Sequence, residues 1–222
     1  MPSFFITGTD TGVGKTWFTC QLIRFWRAQG HEAAALKPIS TGDRKDAMLL
    51  REASGSVLTL DEINPIHFRE PAAPLIAARE ENREIDFVAQ NRAIHMFRSR
   101  FSHLAVEGVG GWRVPLAPGY DVRDWACDLA LPVVVVARAG LGTLNHTLLT
   151  VESIRQAGLT CAGVVLNPGA EASNETRSPH LDLARRTNRA LLESLLLLPV
   201  LELDRLAHAA GKIPVWLGGK EI

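Results

Sequence analysis

Excess charge of either sign is missing from this 222-residue chain: 24 Lys and Arg stand against 24 Asp and Glu, a formal net charge of zero with His neutral. A general nucleic-acid binder needs surplus cations to displace phosphate counterions, so no nucleic-acid partner is expected and a small ligand is favoured. Long hydrophobic runs are absent too. The longest strongly apolar stretch without a charge, Leu129 to Ala137, is far short of the roughly 20 residues that cross a bilayer, so no membrane association is expected. The first residues, Met1-Pro2-Ser3-Phe4-Phe5, place no basic segment ahead of an apolar one, so a secretory leader does not fit and a cytoplasmic location is expected. Cysteine is scarce. Cys20, Cys127 and Cys161 are odd in number and widely spaced, which argues against a disulfide framework and a zinc site and for buried thiols. The seven histidines form no His-x-x-His or His-Glu-x-x-His grouping. No fixed-period repeat and no Gly/Ser linker interrupts the chain, so a single domain over 1–222 is expected.

What is present is ordinary globular composition, 46% hydrophobic and 22% charged, which is enough to build a sizeable core. Short β-branched or aromatic runs alternate with longer segments of helical periodicity. Strands are predicted at Ser3 to Thr7, Ala33 to Lys37, His103 to Glu107, Pro132 to Ala137, Cys161 to Leu166 and Leu195 to Pro199. Helices are predicted at Gly14 to Ala28 and near 46–54, 86–100, 122–130, 143–157, 180–194 and 203–210. The run Pro132 to Ala137 is apolar throughout rather than alternating, as a strand must be when helices cover both faces of a parallel sheet. The fold class expected is therefore α/β, a doubly wound and mainly parallel sheet with helices on both faces. The polar stretch 171–179 reads as a loop and the charge run Arg79 to Glu84 as a solvated turn.

The first strand runs directly into Gly8-Thr9-Asp10-Thr11-Gly12-Val13-Gly14-Lys15-Thr16, and a helix follows. This is the setting of a phosphate-binding P-loop. Glycines let consecutive N–H groups curl toward a polyphosphate, and the helix N-terminus adds a field that favours an anion. Lys15 can bridge terminal phosphates and Thr16 can ligate Mg²⁺. The usual spacing would put the first glycine at position 9, where this chain has Thr9. The loop is a variant, and it leaves the choice between ATP and GTP open.

Phosphoryl transfer is largely positioning and charge neutralisation, so cations and metal-binding carboxylates are expected at the carboxyl ends of neighbouring strands. Lys37 leaves the sheet edge before Pro38, and Glu107 ends an apolar strand before Gly108-Val109-Gly110-Gly111. Lys37 is a candidate active-site cation and Glu107 a candidate metal ligand. Asp46 opens a predicted helix and fits either a metal role or an ordinary N-cap.

With these residues together the chain resembles the dethiobiotin synthetase family, a P-loop NTPase-like group. The resemblance rests on the variant loop 8–16, on Lys37-Pro38 with Thr41-Gly42, and on Asn64-Pro65 through Phe68, Glu70-Pro71, Ala73-Pro74 and Ala77-Ala78. It continues through Val106-Glu107-Gly108 with Gly110-Gly111-Trp112, Gly140 to Thr150, and Gly163 to Asn167, then fades after about residue 168. It implies ATP as co-substrate, with its phosphates on Gly12, Val13, Gly14, Lys15 and Thr16. It implies Mg²⁺ on Thr16, Asp46 and Glu107, further nucleotide contacts from Gly108, Val109 and Gly110, and base contacts from Asn167 and, more weakly, Pro199 after the last strand. Lys37 and Lys15 would be catalytic. Thr11, Lys37, Thr41 and, across a homodimer interface, Asn145 would bind 7,8-diaminopelargonate.

The reaction implied by the resemblance is carboxylation of that diamine by CO₂ and closure of a ureido ring, driven by ATP. Its rival is a ParA/MinD-like ATPase switch, whose loop carries an extra lysine where this chain has Asp10. A second rival, the amidating cobyrinate synthase group, carries a glutaminase domain for which this chain is too short. Trp112 and Trp125 are expected to be packing residues, and His146 an interface or packing residue.

Overall fold

A computed structural model describes residues 2–168, 179–203 and 215–218. Its elements in chain order are β1 (Ser3–Gly8), α1 (Lys15–Ala28), β2 (Ala33–Leu36), β3 (Ile39–Thr41), α2 (Lys45–Ala53), α3 (Leu60–Ile63), β4 (Ile66–Phe68), α4 (Pro74–Glu80) and α5 (Phe87–Arg100). There follow β5 (His103–Glu107), β6 (Pro115–Ala117), β7 (Tyr120–Asp121), α6 (Val122–Leu129), β8 (Val133–Arg138), α7 (Thr143–Gln156), β9 (Cys161–Asn167), α8 (Pro179–Leu196) and β10 (Val200–Glu202). A 3-10 turn covers Val215–Leu217.

Six of these strands form one sheet in the order β10-β9-β8-β1-β5-β2, and every pairing in it is parallel. The chain builds β2 and β5 on one side of β1, then crosses to add β8, β9 and β10 on the other. Such a reversal leaves a crevice at the carboxyl end of the central strand, the usual ligand position in open α/β sheets. Successive side chains of β1 explain how both faces are filled. Phe4 stacks on Trp26 of α1 at 6.2 Å, whereas Phe5 meets Trp125 of α6 edge-on at 5.8 Å. Strand pleating sends neighbours to opposite faces, and each face offers an aromatic partner. Val133 to Ala137 are all buried, as their unbroken apolar run requires.

Trp125 and Trp112 are packing residues with satisfied indole N–H groups, donating to Asn91 Oδ1 at 2.8 Å and Ser153 Oγ at 3.1 Å. Cys20 and Cys161 are buried free thiols, and Cys127 is half-buried. Burial pushes the Cys20 thiol up to about 12 and the Cys161 thiol up to about 11.

The structure differs from expectation in several places. Among the described residues the last strand is Val200–Glu202, because α8 runs on through Leu196 and ends where Leu197 adopts a φ of 54°. The apolar run from Leu195 mimics a strand but forms the end of a helix. Sequence periodicity also missed the three-residue parallel pair β3 and β4, the short helices α3 and α4, and the antiparallel pair β6 and β7. The charge run at 79–84 begins inside α4, and its Arg83 lies over the Phe68 ring at 4.8 Å while donating to the His67 carbonyl. The stretch 171–178 and nearly all of the predicted helix 203–210 lie outside the described residues.

Candidate active site

Strand register brings the candidate residues to one edge. Ile6 pairs with Glu107 and Leu36 with Val106, so Lys37, Glu107 and the start of the glycine loop are level at the carboxyl end of the sheet. In the loop, Gly12 and Gly14 adopt φ of 73° and 93°, a region that side chains resist. Gly14 is the N-cap of α1 with no side-chain cap, which leaves first-turn N–H groups of that helix to an anion. Lys15 is buried and its Nζ folds back to 3.3 Å from the Asp10 carbonyl oxygen. Burial first, and the Lys37 ammonium second, lower its pKa to about 8.

Two candidates converge on one carboxylate. Glu107 Oε1 accepts from Thr16 Oγ1 at 2.7 Å and from Lys37 Nζ at 2.6 Å. Lys37 also donates to the Gly108 carbonyl at 3.1 Å and lies 3.4 Å from Asp46 Oδ2. Lys37 is 4% exposed and Glu107 wholly buried. Burial alone would lower the lysine's affinity for a proton, but the carboxylates of Glu107 and Asp46 outweigh it and hold the ammonium above its ordinary pKa. Among the described residues, the other Glu107 oxygen, Oε2, is buried without a hydrogen-bond partner. A carboxylate oxygen kept dry and unpaired carries a large desolvation cost, and a hard cation is the group that would remove it.

Asp46 is not the cap of α2. The N-cap is Arg44, and the Asp46 carboxylate in the first turn reaches Lys37 instead. That removes the N-cap alternative. Among the described residues no group of three or more His, Cys, Asp and Glu is placed to hold a metal, so a cation here would rely on two carboxylates and the Thr16 hydroxyl.

A cleft of about 300 Å³ opens beside these groups, lined by Thr11, Gly12, Gly14, Lys15, Thr16, Lys37, Ser40, Thr41, Asp43, Asp46, Val109 and Gly110. Every lining residue except Ser40 and Asp43 was singled out by sequence. Those two lie in the segment after Lys37 but carry no motif of their own. Glu107 and Gly108 sit beneath the lysine. A larger depression, about 820 Å³, is lined by Leu75, Arg83, Phe87, Leu116 and their neighbours and shares no residue with this cleft.

The remaining candidates lie elsewhere. Asn167 ends β9 against the glycine loop, near Val13. Asn145 and His146 are exposed in the first turn of α7, whose N-cap Gly142 has a φ of 86°. Pro199 requires a correction. It precedes β10 rather than following it, and its carbonyl accepts from Val164 N at 3.0 Å. The register carries Val200 through Val164 and Val135 to Thr7, so Pro199 stands about level with Ile6 of β1, three strands away across the sheet.

Among the described residues, no helix is long and apolar enough to cross a membrane. The fold is similar to that of MinD in the Aquifex aeolicus MinC:MinD complex, with a TM-score of 0.57, 12% identity, and coverage of 90% of this chain and 79% of that one. FtsY of Thermotoga maritima is similar with a TM-score of 0.54 and 14% identity, covering 90% of this chain and 60% of that one. Identities this low speak for the fold alone. Residues 2–203 match the AAA domain family. The ATP-dependent dethiobiotin synthetase BioD of Anaeromyxobacter dehalogenans strain 2CP-C is 45% identical over 219 residues, 96% of this chain and 97% of that protein. Its counterpart in Akkermansia muciniphila is 42% identical over 201 residues, 90% of this chain and 91% of that protein. With near full-length likeness at this level, and the phosphate loop, Lys37 and Glu107 gathered on one sheet edge, the chain belongs to the ATP-dependent dethiobiotin synthetase family.

Proposed function

We propose that this chain joins 7,8-diaminopelargonate, CO₂ and ATP to give dethiobiotin, ADP and phosphate. The observation that carries the reading is the buried Lys37 ammonium, held between Glu107 and Asp46 beside the phosphate loop. A reaction between anions needs a cation fixed in that place.

One amine of the substrate traps CO₂ as a carbamate. A carbamate oxygen then attacks the γ-phosphorus, forming a mixed carbamic-phosphoric anhydride and releasing ADP. The neighbouring amine attacks the carbonyl carbon and expels phosphate, which closes the five-membered ring. The main obstacle is repulsion between carbamate and triphosphate. Lys15 and Lys37 offset it, and fixed charges in a site with little water are worth far more than in bulk solvent. No protein nucleophile is needed.

Mg²⁺ fits the unpaired Oε2 of Glu107, with Thr16 and Asp46 as the other groups that would hold it. Bound there, it would neutralise phosphate charge and orient the triphosphate. Gly12 to Thr16 would cradle the phosphates, Asn167 would reach the base, and Thr11 and Thr41 would meet the diamine end of the substrate. The far carboxylate would lie at the N-terminus of α7 of a second copy, near Asn145. Exposed Leu141 and Leu149 on and beside that helix favour a homodimer there. A cytoplasmic enzyme would be the setting for this chemistry.

The rival switch reading has the fold in its favour, but Asp10 stands where that group's loop carries its extra lysine. Purified protein given 7,8-diaminopelargonate, bicarbonate and MgATP should form dethiobiotin, followed by mass. A switch would hydrolyse ATP and form none.

A further inference from the structure

Asn64 lies outside the cleft lining, yet its side chain is saturated with bonds to the segment that carries the site. It is 1% exposed. Its Nδ2 donates to the carbonyl oxygens of Lys37 at 2.7 Å and Ile66 at 3.2 Å, and its Oδ1 accepts from Ser40 Oγ at 2.9 Å and Arg44 Nε at 3.0 Å. A carboxamide has two N–H donors and two oxygen lone pairs, so this one is used to capacity. Its orientation is also determined, because a guanidinium can only donate and a carbonyl can only accept.

These bonds span the stretch from Lys37 to the start of α2. Arg44 is the residue on which α2 begins, and α2 carries Asp46. Arg44 also reaches the backbone carbonyls of Leu60 and Asn64, at 3.2 and 2.8 Å. The base under Asn64 is itself firm. Helix α3 opens with a reciprocal capping box between Thr59 and Glu62, and Asn64 is its C-cap. One rigid amide thus ties the main chain of Lys37 and the root of α2 to the same point. The Lys37 ammonium and the Asp46 carboxylate, 3.4 Å apart, hang from the two ends of that tie.

We propose that Asn64 is a positioning residue of this site, setting the Lys37 backbone relative to the start of α2 so that the ammonium stays where charge develops on the transferred phosphoryl group. The inference rests on the reaction proposed above. A lysine has a long flexible stem, and a shift of about 1 Å in its base is enough to cost on the order of 100-fold in rate. An asparagine that served only to hold the loop together would affect stability and every function of the loop alike. A positioning asparagine acts through Lys37.

The test is a double-mutant cycle with dethiobiotin formation as the readout. Asn64→Asp keeps both acceptor roles and replaces both donors with an oxygen facing the Lys37 and Ile66 carbonyls. The expected result is a fall in kcat of tenfold or more with KM for ATP within about twofold, and a fall of less than twofold when the same change is made in Lys37→Ala. A loss that persists above twofold in the Lys37→Ala background, or a kcat within threefold of wild type when Lys37 is present, overturns the proposal. Should Asn64→Asp not fold, Arg44→Gln at the part-exposed end of the tie enters the same cycle, with a threefold or larger loss expected only when Lys37 is present. A second readout needs no turnover. The chain has five lysines, so a spectrum of protein labelled with ¹³C at the lysine ε-carbons is simple to assign. The Lys37 signal should move in nucleotide-free Asn64→Asp while that of Lys45 stays, and an unmoved Lys37 signal in the folded variant overturns the proposal. Absence of dethiobiotin with the wild-type protein counts against the reaction instead, and the lysine spectrum then decides the role of Asn64 independently.

Discussion

The Asn167 amide donates to the carbonyl oxygen of Val13 at 2.9 Å, across 154 positions of sequence. It thereby closes the glycine loop against the end of β9, and a β-carbon on Gly14 would collide with that same amide. Gly14→Ala should therefore suffer twice, from the contact and from its left-handed backbone. ATP affinity measured by calorimetry with a non-hydrolysable analogue should fall tenfold or more. Asn167→Asp, which faces an oxygen toward Val13 O, should weaken binding in the same direction.

Lys15→Ala removes a buried cation at the place proposed for the phosphates. ATP binding should weaken strongly and turnover should be lost. Wild-type affinity in this variant would sink the assignment of the loop.

Removing Lys37 should have two separable effects. In catalysis, Lys37→Ala should lose about 2 to 4 kcal/mol of transition-state stabilisation, read as kcat with saturating substrate. In folding, it strands the buried Glu107 carboxylate, at a cost of about 3 to 5 kcal/mol. Urea denaturation without nucleotide should show most of that second loss recovered when Lys37→Met is combined with Glu107→Gln.

Glu107→Gln and Asp46→Asn should each raise the Mg²⁺ concentration needed for half-maximal activity, since an amide oxygen is a neutral ligand for a hard cation. Asp46 is not the cap of α2 and its side chain is half exposed, though it lies 3.4 Å from the buried Lys37 ammonium, so Asp46→Asn should lower thermal stability only slightly. A variant with lower stability and an unchanged Mg²⁺ titration would deny that residue a metal role.

Acid should destabilise the fold through His103. This side chain starts β5, packs on His31 at 4.0 Å and on Trp26 at 5.0 Å, and has its pKa pushed down from 6.5 to about 4, by burial first and the His31 charge second. The unfolded chain then binds the proton more tightly than the folded one. Stability contributed by the neutral ring is present above pH 6.5 and is lost as pH falls from there toward 4, by about 2 to 3 kcal/mol. His103→Gln should flatten the stability profile in that window, as measured by urea denaturation at a series of pH values.

Much of the site was legible because its chemistry is local in sequence. The loop 8–16 contains its own glycines, lysine and threonine, and Lys37 and Glu107 each end a recognisable strand. The three-residue pair β3 and β4 was not legible, since it joins Ile39 to Ile66 and neither strand is long enough to show a period. Asn64 was hidden for a related reason: its partners at 37, 40, 44 and 66 fit no helical or strand spacing, and only the folded chain brings them to one amide. Pro199 was misplaced because a run of leucines has the composition of a strand wherever it occurs, and the helix claimed it.

Strand β1 lies between β5 and β8, with two further strands outside β8 and one outside β5. Its main-chain amides cannot meet solvent by fraying of either sheet edge, so they should be among the last in the molecule to exchange hydrogen for deuterium. The nucleotide loop springs from the end of that strand and Glu107 is level with it. The groups proposed to meet phosphate are thus mounted on the slowest-opening part of the protein. Partial unfolding at β2 or β10 would leave them in place, and the capacity to bind nucleotide should disappear only with the fold as a whole.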